Sequence, residues 1–422
     1  MITVDRDRRI LLKDGRPFFY LADTAWNAFV RSEPDEWEAY LAFRKRQGFN
    51  AVRVSAFGIY NDRTVGERDV HPFRFTERGK YDFGRVNDAY FDRAQQMAAA
   101  AARHGFILDL TLFWLCYVKD TQSYPPDGDW VIPMDRIRPL TEMLVERFEP
   151  YRPVYCISGD TNFGSADTVR TYMTALETVK SFAPHAVTTM HIAGNVPALP
   201  DEFVRSPLLD FYLYQSGHDR SGQAHAYTYA LGFHEQRPKR PIINGEPCYE
   251  GMHFEDEGGG HYTAADVRRA LWSSLLSGAK AGFTYGAHGL WSWHRQGERF
   301  LNGDSLSDWQ TALRFEGAWD CGFAKWLFER YGLYDLEPAA LIANPSPHIR
   351  MAMTPDGGAA AVYLPDSVNL RLRLRADAYE WELIELQGRR ILKPEWRLDG
   401  GESVMLRHDF NSDALLVGRR AI

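Results

Sequence analysis

The stretch "RPIINGEPCYEG", residues 240–251, poses the question that decides the fold. Pro241-Ile242-Ile243 is an apolar run of the length of a buried strand. It stops at Asn244-Gly245, and a carboxylate, Glu246, follows at once, ahead of Pro247 and Cys248. A buried charge without a partner is costly. Either Glu246 is paired for structural reasons, or the strand delivers a carboxylate to a place where chemistry needs one.

The same pattern, a short apolar run that ends in polar residues, recurs along the chain. "FFYLADTAW" (18–26), "NAVRVSAF" (50–57), "FILDLTLFW" (106–114) and "PVYCISGD" (153–160) read as strands one to four. "AVTTMHIAG" (186–194), "LDFYLYQSGH" (209–218), "PIINGE" (241–246) and "GFTYGAHGLW" (282–291) read as five to eight. Helical patterns separate them. Residues 33–48 form one, with Pro34 at its start and Gly48 at its stop. Others cover 88–105, 135–149, 166–182, 223–236 and 263–282, with a last helix near 307–331. Strands alternating with helices predict a parallel sheet, and eight such units predict a (β/α)8 barrel, the TIM barrel. A doubly wound sheet is the alternative, but it normally carries a glycine-rich phosphate turn after an early strand, and none is seen.

The texture changes after Pro338. Period-2 runs appear, with turns at Pro355-Asp356-Gly357-Gly358 and Gln387-Gly388. "LRLRLR" (370–375) alternates strictly and predicts an antiparallel sheet with one solvated face. The expected organisation is a catalytic barrel over 1–336 and a small antiparallel β-sandwich over 340–422.

Composition excludes several classes. The 422 residues carry a net charge of −7, with no basic run interleaved with aromatics, so nucleic acid is not an expected partner. No stretch approaches the ~20 apolar residues of a membrane span, and no membrane partner is expected. Cys116, Cys156, Cys248 and Cys321 have no paired spacing, against a disulfide framework or a zinc site. With no secretory signal in "MITVDRDRRILLKDGRPFF", a reducing cytoplasm is the expected compartment. The 12 Trp and 21 Tyr suit sugar rings as well as a large aromatic core. Nothing specifies an oligomeric state.

Barrels carry reactive groups at the C-terminal ends of their strands. Glu246 has that position on strand seven and Asp160 on strand four. The same rim collects Asp23 and Trp26 after strand one, Arg53 on strand two and Trp114 on strand three. It also collects His191 on strand five, Tyr214 and His218 on strand six, and Trp291 and Trp293 after strand eight. Each has a structural alternative: Asp160 as a helix cap, Asp23 as a turn acceptor, His191 as a core histidine. Taken as one pocket, they suit glycoside hydrolysis. That reaction needs a protonated carboxyl to release the leaving oxygen and an ionised one to attack the anomeric carbon. Arg53 and Tyr214 are the expected groups holding Glu246 ionised, and Trp291 or Trp293 is the expected sugar floor. "DEGGGHY" (256–262) is a candidate rim of the cleft.

"PFFYLADTAWNAF", "GFNAVRVSAF", the Gly-Asp after strand four, "NGEPCYEG" and "GAHGLWSW" together resemble the apiosidase-like glycoside hydrolases, family 140, over roughly residues 8–335. The resemblance implies a clan A type barrel in which Asp160 is the acid/base and Glu246 the nucleophile. The usual acid of that clan is a Glu preceded by Asn; here Gly159-Asp160 stands in its place. The resemblance implies a glycoside or oligosaccharide substrate, with a furanosidic pentose as one candidate, and neither metal nor cofactor. The alternatives are a family 5-like β-glycosidase or endoglycanase, and an inactive carbohydrate-binding barrel. A metal-dependent amidohydrolase would want His-x-His at the end of strand one, and "FFYLADTAW" has none.

Overall fold

The computed structural model describes residues 1–59, 69–122, 130–254, 259–298 and 307–421. Eight parallel strands form the barrel: β1 Tyr20–Thr24, β2 Ala51–Ser55, β3 Ile107–Trp114, β4 Val154–Gly159, β5 Val187–Thr189, β6 Tyr212–Gln215, β7 Ile242–Glu246 and β8 Gly282–Tyr285. Their order around the sheet is β5-β4-β3-β2-β1-β8-β7-β6. Between β5 and β6 a single parallel bridge, His191 to Leu213, nearly completes the circle.

Period-2 alternation sorts the strand residues into two cores. Ala22, Ala51, Ile107, Val154, Val187, Leu213 and Ile243 fill the barrel interior. Leu21, Val52, Leu110, Ile157, Tyr214 and Phe283 face the surrounding helices. The helix Pro34–Arg46 starts with Pro34 at its first turn and a reciprocal Glu33–Glu36 capping box, which satisfies two orphan N–H groups. The helix Ala264–Leu275 starts with the same device, using Thr263 and Asp266.

Three features differ from the sequence expectation. Strands Ile2–Asp5, Ile10–Lys13 and Arg16–Phe18 form an antiparallel sheet whose Leu11 packs into the barrel-interior core. Runs of three or four residues separated by charged turns carry too little periodicity to be read as strands. The second is a hairpin, Phe73–Phe75 with Tyr81–Val86, in the connection after β2. The last helix is broken into Trp309–Ala312 and Gly317–Tyr331.

The C-terminal region is a sandwich of two antiparallel sheets. The larger has the order Glu337–Pro338, Arg350–Met353, Ala359–Leu364, Ala414–Arg420, Tyr379–Glu385, Ile391–Leu392. Leu370–Leu372, Glu402–Met405 and Trp396–Asp399 form the smaller. Along the larger sheet Ala352, Ala361, Tyr363, Ile384 and Leu415 join the barrel's helix-side core. Met351, Ala360, Val362, Leu383 and Leu416 face Leu370, Leu372 and Met405 of the smaller sheet. Arg371 pairs with Glu402 at 2.8 Å on the outer side, as the alternation of "LRLRLR" predicts, but the strand stops at Leu372. Arg268 of the barrel ties the regions together, holding Asp320 at 2.8 Å and Asp413 at 2.9 Å, all three buried. All four cysteines are buried and free. Among the described residues no helix is long and apolar enough to cross a membrane.

Candidate active site

A register shift at the end of β7 answers how a buried strand can end in an inward carboxylate. Leu213 pairs with Ile243 and Tyr214 with Asn244, but Gln215 pairs with Glu246, so Gly245 is an extra residue. Strict alternation would send Glu246 outward with Asn244, whose amide reaches Ser216 and Ser274 at 3.0 Å on the helix side. The bulge re-aims it. Only glycine fits at 245, since a Cβ there would lie 2.1 Å from Leu213 Cδ2.

Glu246 is buried, 6% exposed as a residue, and its carboxylate faces three polar side chains. His218 Nε2 lies 2.9 Å and Gln215 Nε2 3.3 Å from Oε1, and His191 Nε2 lies 3.3 Å from Oε2. Burial alone would raise its pKa. The His218 hydrogen bond, together with the neighbouring His191 and His218 imidazoles and then the Arg53 guanidinium, outweighs burial and holds the group below the usual glutamate range. Arg53 is fully buried and is kept a cation by Asp109 at 3.3 Å. Its Nη1 donates to Gly245 O at 2.6 Å, so it fixes the bulge rather than touching the carboxylate. Burial and the nearby Arg53 charge push His191 down to about 3, which makes it a neutral ring.

Asp160 follows β4 in a left-handed conformation, φ +52°, and is half-buried. Its turn is pinned by Gln122, whose Oε1 accepts from Asn162 N at 3.0 Å. Gly159 precedes it because a Cβ there would meet the Trp114 ring at 2.2 Å. The Gly-Asp pair thus leaves room for Trp114, which packs against Trp26 at 4.8 Å. Trp26 also stacks on His191 at 5.7 Å, lies 4.7 Å from the Arg53 guanidinium, and donates to the Tyr249 hydroxyl at 3.0 Å. Tyr249 in turn packs edge-on to His218 at 4.5 Å, and Trp291 lies 6.4 Å beyond it, partly exposed.

The mouth therefore gathers Asp160, Glu246, Arg53, His191, His218, Trp26, Trp114 and Trp291. Three expected residues are elsewhere. Asp23 faces outward and is buried between Arg44 at 2.6 Å and Tyr40 at 2.8 Å. Tyr214 also faces the helices, donating to Ala226 O at 2.7 Å, so it does not hold Glu246. Trp293 is fully buried, stacks on Trp309 at 4.8 Å and donates to Glu36 at 3.0 Å. In each case alternation or a turn sends the side chain to the other side. Gln215 and Tyr249 were missed. Counting two residues on from inward Leu213 would have found Gln215; Tyr249 lies past the strand, where no periodicity applies. Residues 256–258 of the candidate rim lie outside the described residues. Among the described residues no group of three His, Cys, Asp or Glu side chains is placed to hold a metal ion.

A (β/α)8 barrel with two carboxyls, two imidazoles and an aromatic wall at its strand ends has the architecture of a glycoside hydrolase. Residues 5–335 match the model of the family "Apiosidase-like, catalytic domain", and the chain belongs to that family, a glycoside hydrolase. A solved structure titled a glycoside hydrolase is similar at 20% identity and a TM-score of 0.81, covering 100% of this chain and 97% of that one. A second, titled a glycoside hydrolase family 5 protein from Bacteroides vulgatus ATCC 8482, has 18% identity and a TM-score of 0.82, with 99% and 93% covered. At those identities the two likenesses speak for the fold. No curated protein matches the chain.

Proposed function

We propose that the protein is a retaining glycosidase in which Glu246 is the nucleophile and Asp160 the acid/base. One observation carries the reading: the single amide of Gln215 reaches both carboxyls, 2.8 Å from Asp160 Oδ1 and 3.3 Å from Glu246 Oε1. A gap spanned by one amide puts the two carboxyls roughly 5–8 Å apart, which includes the ~5–5.5 Å of retaining pairs and overlaps the ~6.5–9.5 Å of inverting ones, so the anomer of the product decides between the two. In the first step Asp160 gives its proton to the leaving oxygen as Glu246 bonds to the anomeric carbon. In the second, water attacks that carbon, Asp160 takes its proton, and Glu246 is released. The lowered pKa of Glu246 supports the nucleophile role, because the attacking group must be ionised. Trp291, partly exposed at the mouth, suits a sugar face.

The substrate class is a plant- or microbe-derived oligosaccharide or glycoside, with a furanosidic pentose as the first candidate by family. A screen of 4-nitrophenyl pentosides and hexosides, furanosides and pyranosides alike, identifies the sugar. Early product analysed by proton NMR then gives the anomer. Retention is expected, and inversion would overturn the assignment of Glu246.

A further inference from the structure

The turn after β4 holds two left-handed residues that are not glycine, Asp160 at φ +52° and Phe163 at φ +53°. Asp tolerates that conformation better than most side chains, but in a bulky Phe it is sterically costly. Two such residues in one short turn persist only where the surroundings over-determine them. One constraint comes from beside β5, where Ala193 N donates to Thr161 O at 3.0 Å. A second comes from residues 119–122, after β3.

Gln122 spans the turn. Its amide N–H donates to Asp160 O, and its Oε1 accepts from Asn162 N at 3.0 Å. A backbone carbonyl only accepts and a backbone N–H only donates, so these two partners allow the amide one orientation. The segment that carries Gln122 is itself seated on the turn. Ser165 Oγ donates to Asp120 Oδ2 at 2.9 Å, and Thr168 Oγ1 donates to Lys119 O at 2.7 Å. Gly164 admits the approach, since a Cβ there would stand 2.2 Å from Asp120 O. Ser165 also caps the helix Ala166–Phe182, so the brace is anchored to the rigid element that follows β4. Gln122 itself is exposed, and burial does not account for its place.

We infer that Gln122 is a positioning residue for the acid/base: it holds the strained turn that aims the Asp160 carboxyl at the leaving oxygen. These bonds are to main-chain atoms, so Gln122 moves no proton in this role. The inference rests on the assignment of Asp160 above. In the first half-reaction Asp160 gives its proton to the leaving oxygen as that oxygen's bond to the anomeric carbon breaks and Glu246 bonds to the carbon. A turn released from Gln122 relaxes out of the left-handed region and carries the proton donor away from the oxygen. Glu246 is set by the β7 bulge and stays in place. The loss of rate therefore scales with the leaving oxygen's need for a proton. A link that only stabilised two loops would cost all substrates alike.

The test is kcat/KM, which reports the first half-reaction, on two classes of glycoside of the sugar that the wild type hydrolyses. Gln122→Met keeps the length of the side chain and removes both hydrogen bonds. On alkyl glycosides, whose leaving oxygen must be protonated, kcat/KM should fall by about 10–100-fold, the scale of a misplaced catalytic group. On 2,4-dinitrophenyl glycosides, whose leaving group departs as an anion, it should fall by less than about 3-fold. An equal loss on both classes, or no loss on either, would overturn the inference. If Gln122→Met does not fold by circular dichroism, Gln122→Glu decides. It keeps an acceptor for Asn162 N, loses the donor to Asp160 O and should show the same contrast; without the contrast the inference is refuted. Asp160→Asn on the same pair of substrates separates this role from the functional assignment. If Asp160→Asn shows no contrast, the acid/base assignment fails and the role of Gln122 with it. If it shows the contrast and the Gln122 variants do not, only the role of Gln122 fails.

Discussion

Gly245 lies against Leu213 so closely that a Cβ at 245 would stand 2.1 Å from Leu213 Cδ2. The contact is set by the bulge that turns Glu246 into the barrel mouth, and Arg53 holds the same residue by its carbonyl at 2.6 Å. Gly245→Ala must push β6 and β7 apart. It should destabilise the protein by about 1–3 kcal/mol through overpacking. It should also lower kcat, because the carboxylate moves with its strand. Urea unfolding and steady-state kinetics check the two halves. Unchanged values for both would show that the register shift is not rigid.

Glu246→Gln should abolish turnover on every substrate. Asp160→Asn should cost about 10²–10⁴-fold on substrates with poor leaving groups. The loss should be smaller in the first step for aryl glycosides whose leaving group needs no proton. Added azide should partly restore the Asp160 variant, since an anion needs no general base. Its glycosyl azide product, read by NMR, should keep the starting anomeric configuration if Asp160 is the acid/base of a retaining pair.

His218 is the nearest donor to Glu246, at 2.9 Å. The folded pKa of Glu246 is depressed, so its ionised form persists below the usual glutamate range, and activity falls only as pH drops through that lowered value. His218→Phe removes the hydrogen bond and should move the acid limb of kcat/KM upward by up to about one pH unit. His218→Asn, which keeps a donor, should move it less. An acid limb identical in all three proteins would count against this source of the shift.

Glu337, at the junction of barrel and sandwich, accepts from Lys280 at 2.9 Å, with Arg9 at 3.3 Å and His234 also on its carboxyl. Burial acts against its charge, but His234 and Lys280 bring its pKa down to about 2. A depressed carboxylate stabilises the fold above its unfolded pKa, and that stability is lost as pH falls through the folded value. Glu337→Gln should therefore cost on the order of 1–3 kcal/mol at pH 7, after allowing for partial exposure. The difference from wild type should vanish progressively from about pH 4.5 down to about pH 2. Urea midpoints measured across that window decide it.

Two tryptophans after β8 should separate binding from folding. Trp293 is fully buried against Trp309, and Trp293→Ala should destabilise by about 3–5 kcal/mol. Trp291 is partly exposed beside Tyr249, and Trp291→Ala should raise KM with little change in unfolding midpoint. The reverse pattern would exchange their roles.

Much of this molecule is determined by local sequence. Apolar runs of strand length between helices with their own start and stop signals specify a parallel barrel, because burial and period leave few other arrangements. The two carboxyls at the ends of β4 and β7 were legible for the same reason: a strand end is a position in the sequence. What lay beyond the sequence was the side toward which a rim residue points. Asp23 and Tyr214 are at strand ends too, yet alternation turns both toward the helices, where Arg44 and Ala226 meet them. Glu246 escapes that rule through a one-residue shift against β6, which depends on Leu213, a residue 33 positions from Glu246. Gln215 became a neighbour of both carboxyls only when β5 and β6 approached at the His191–Leu213 bridge. A strand's period is a property of the chain itself. Register, bulges and the meeting of the last two strands are set by packing between segments far apart in sequence, and only the folded barrel decides them.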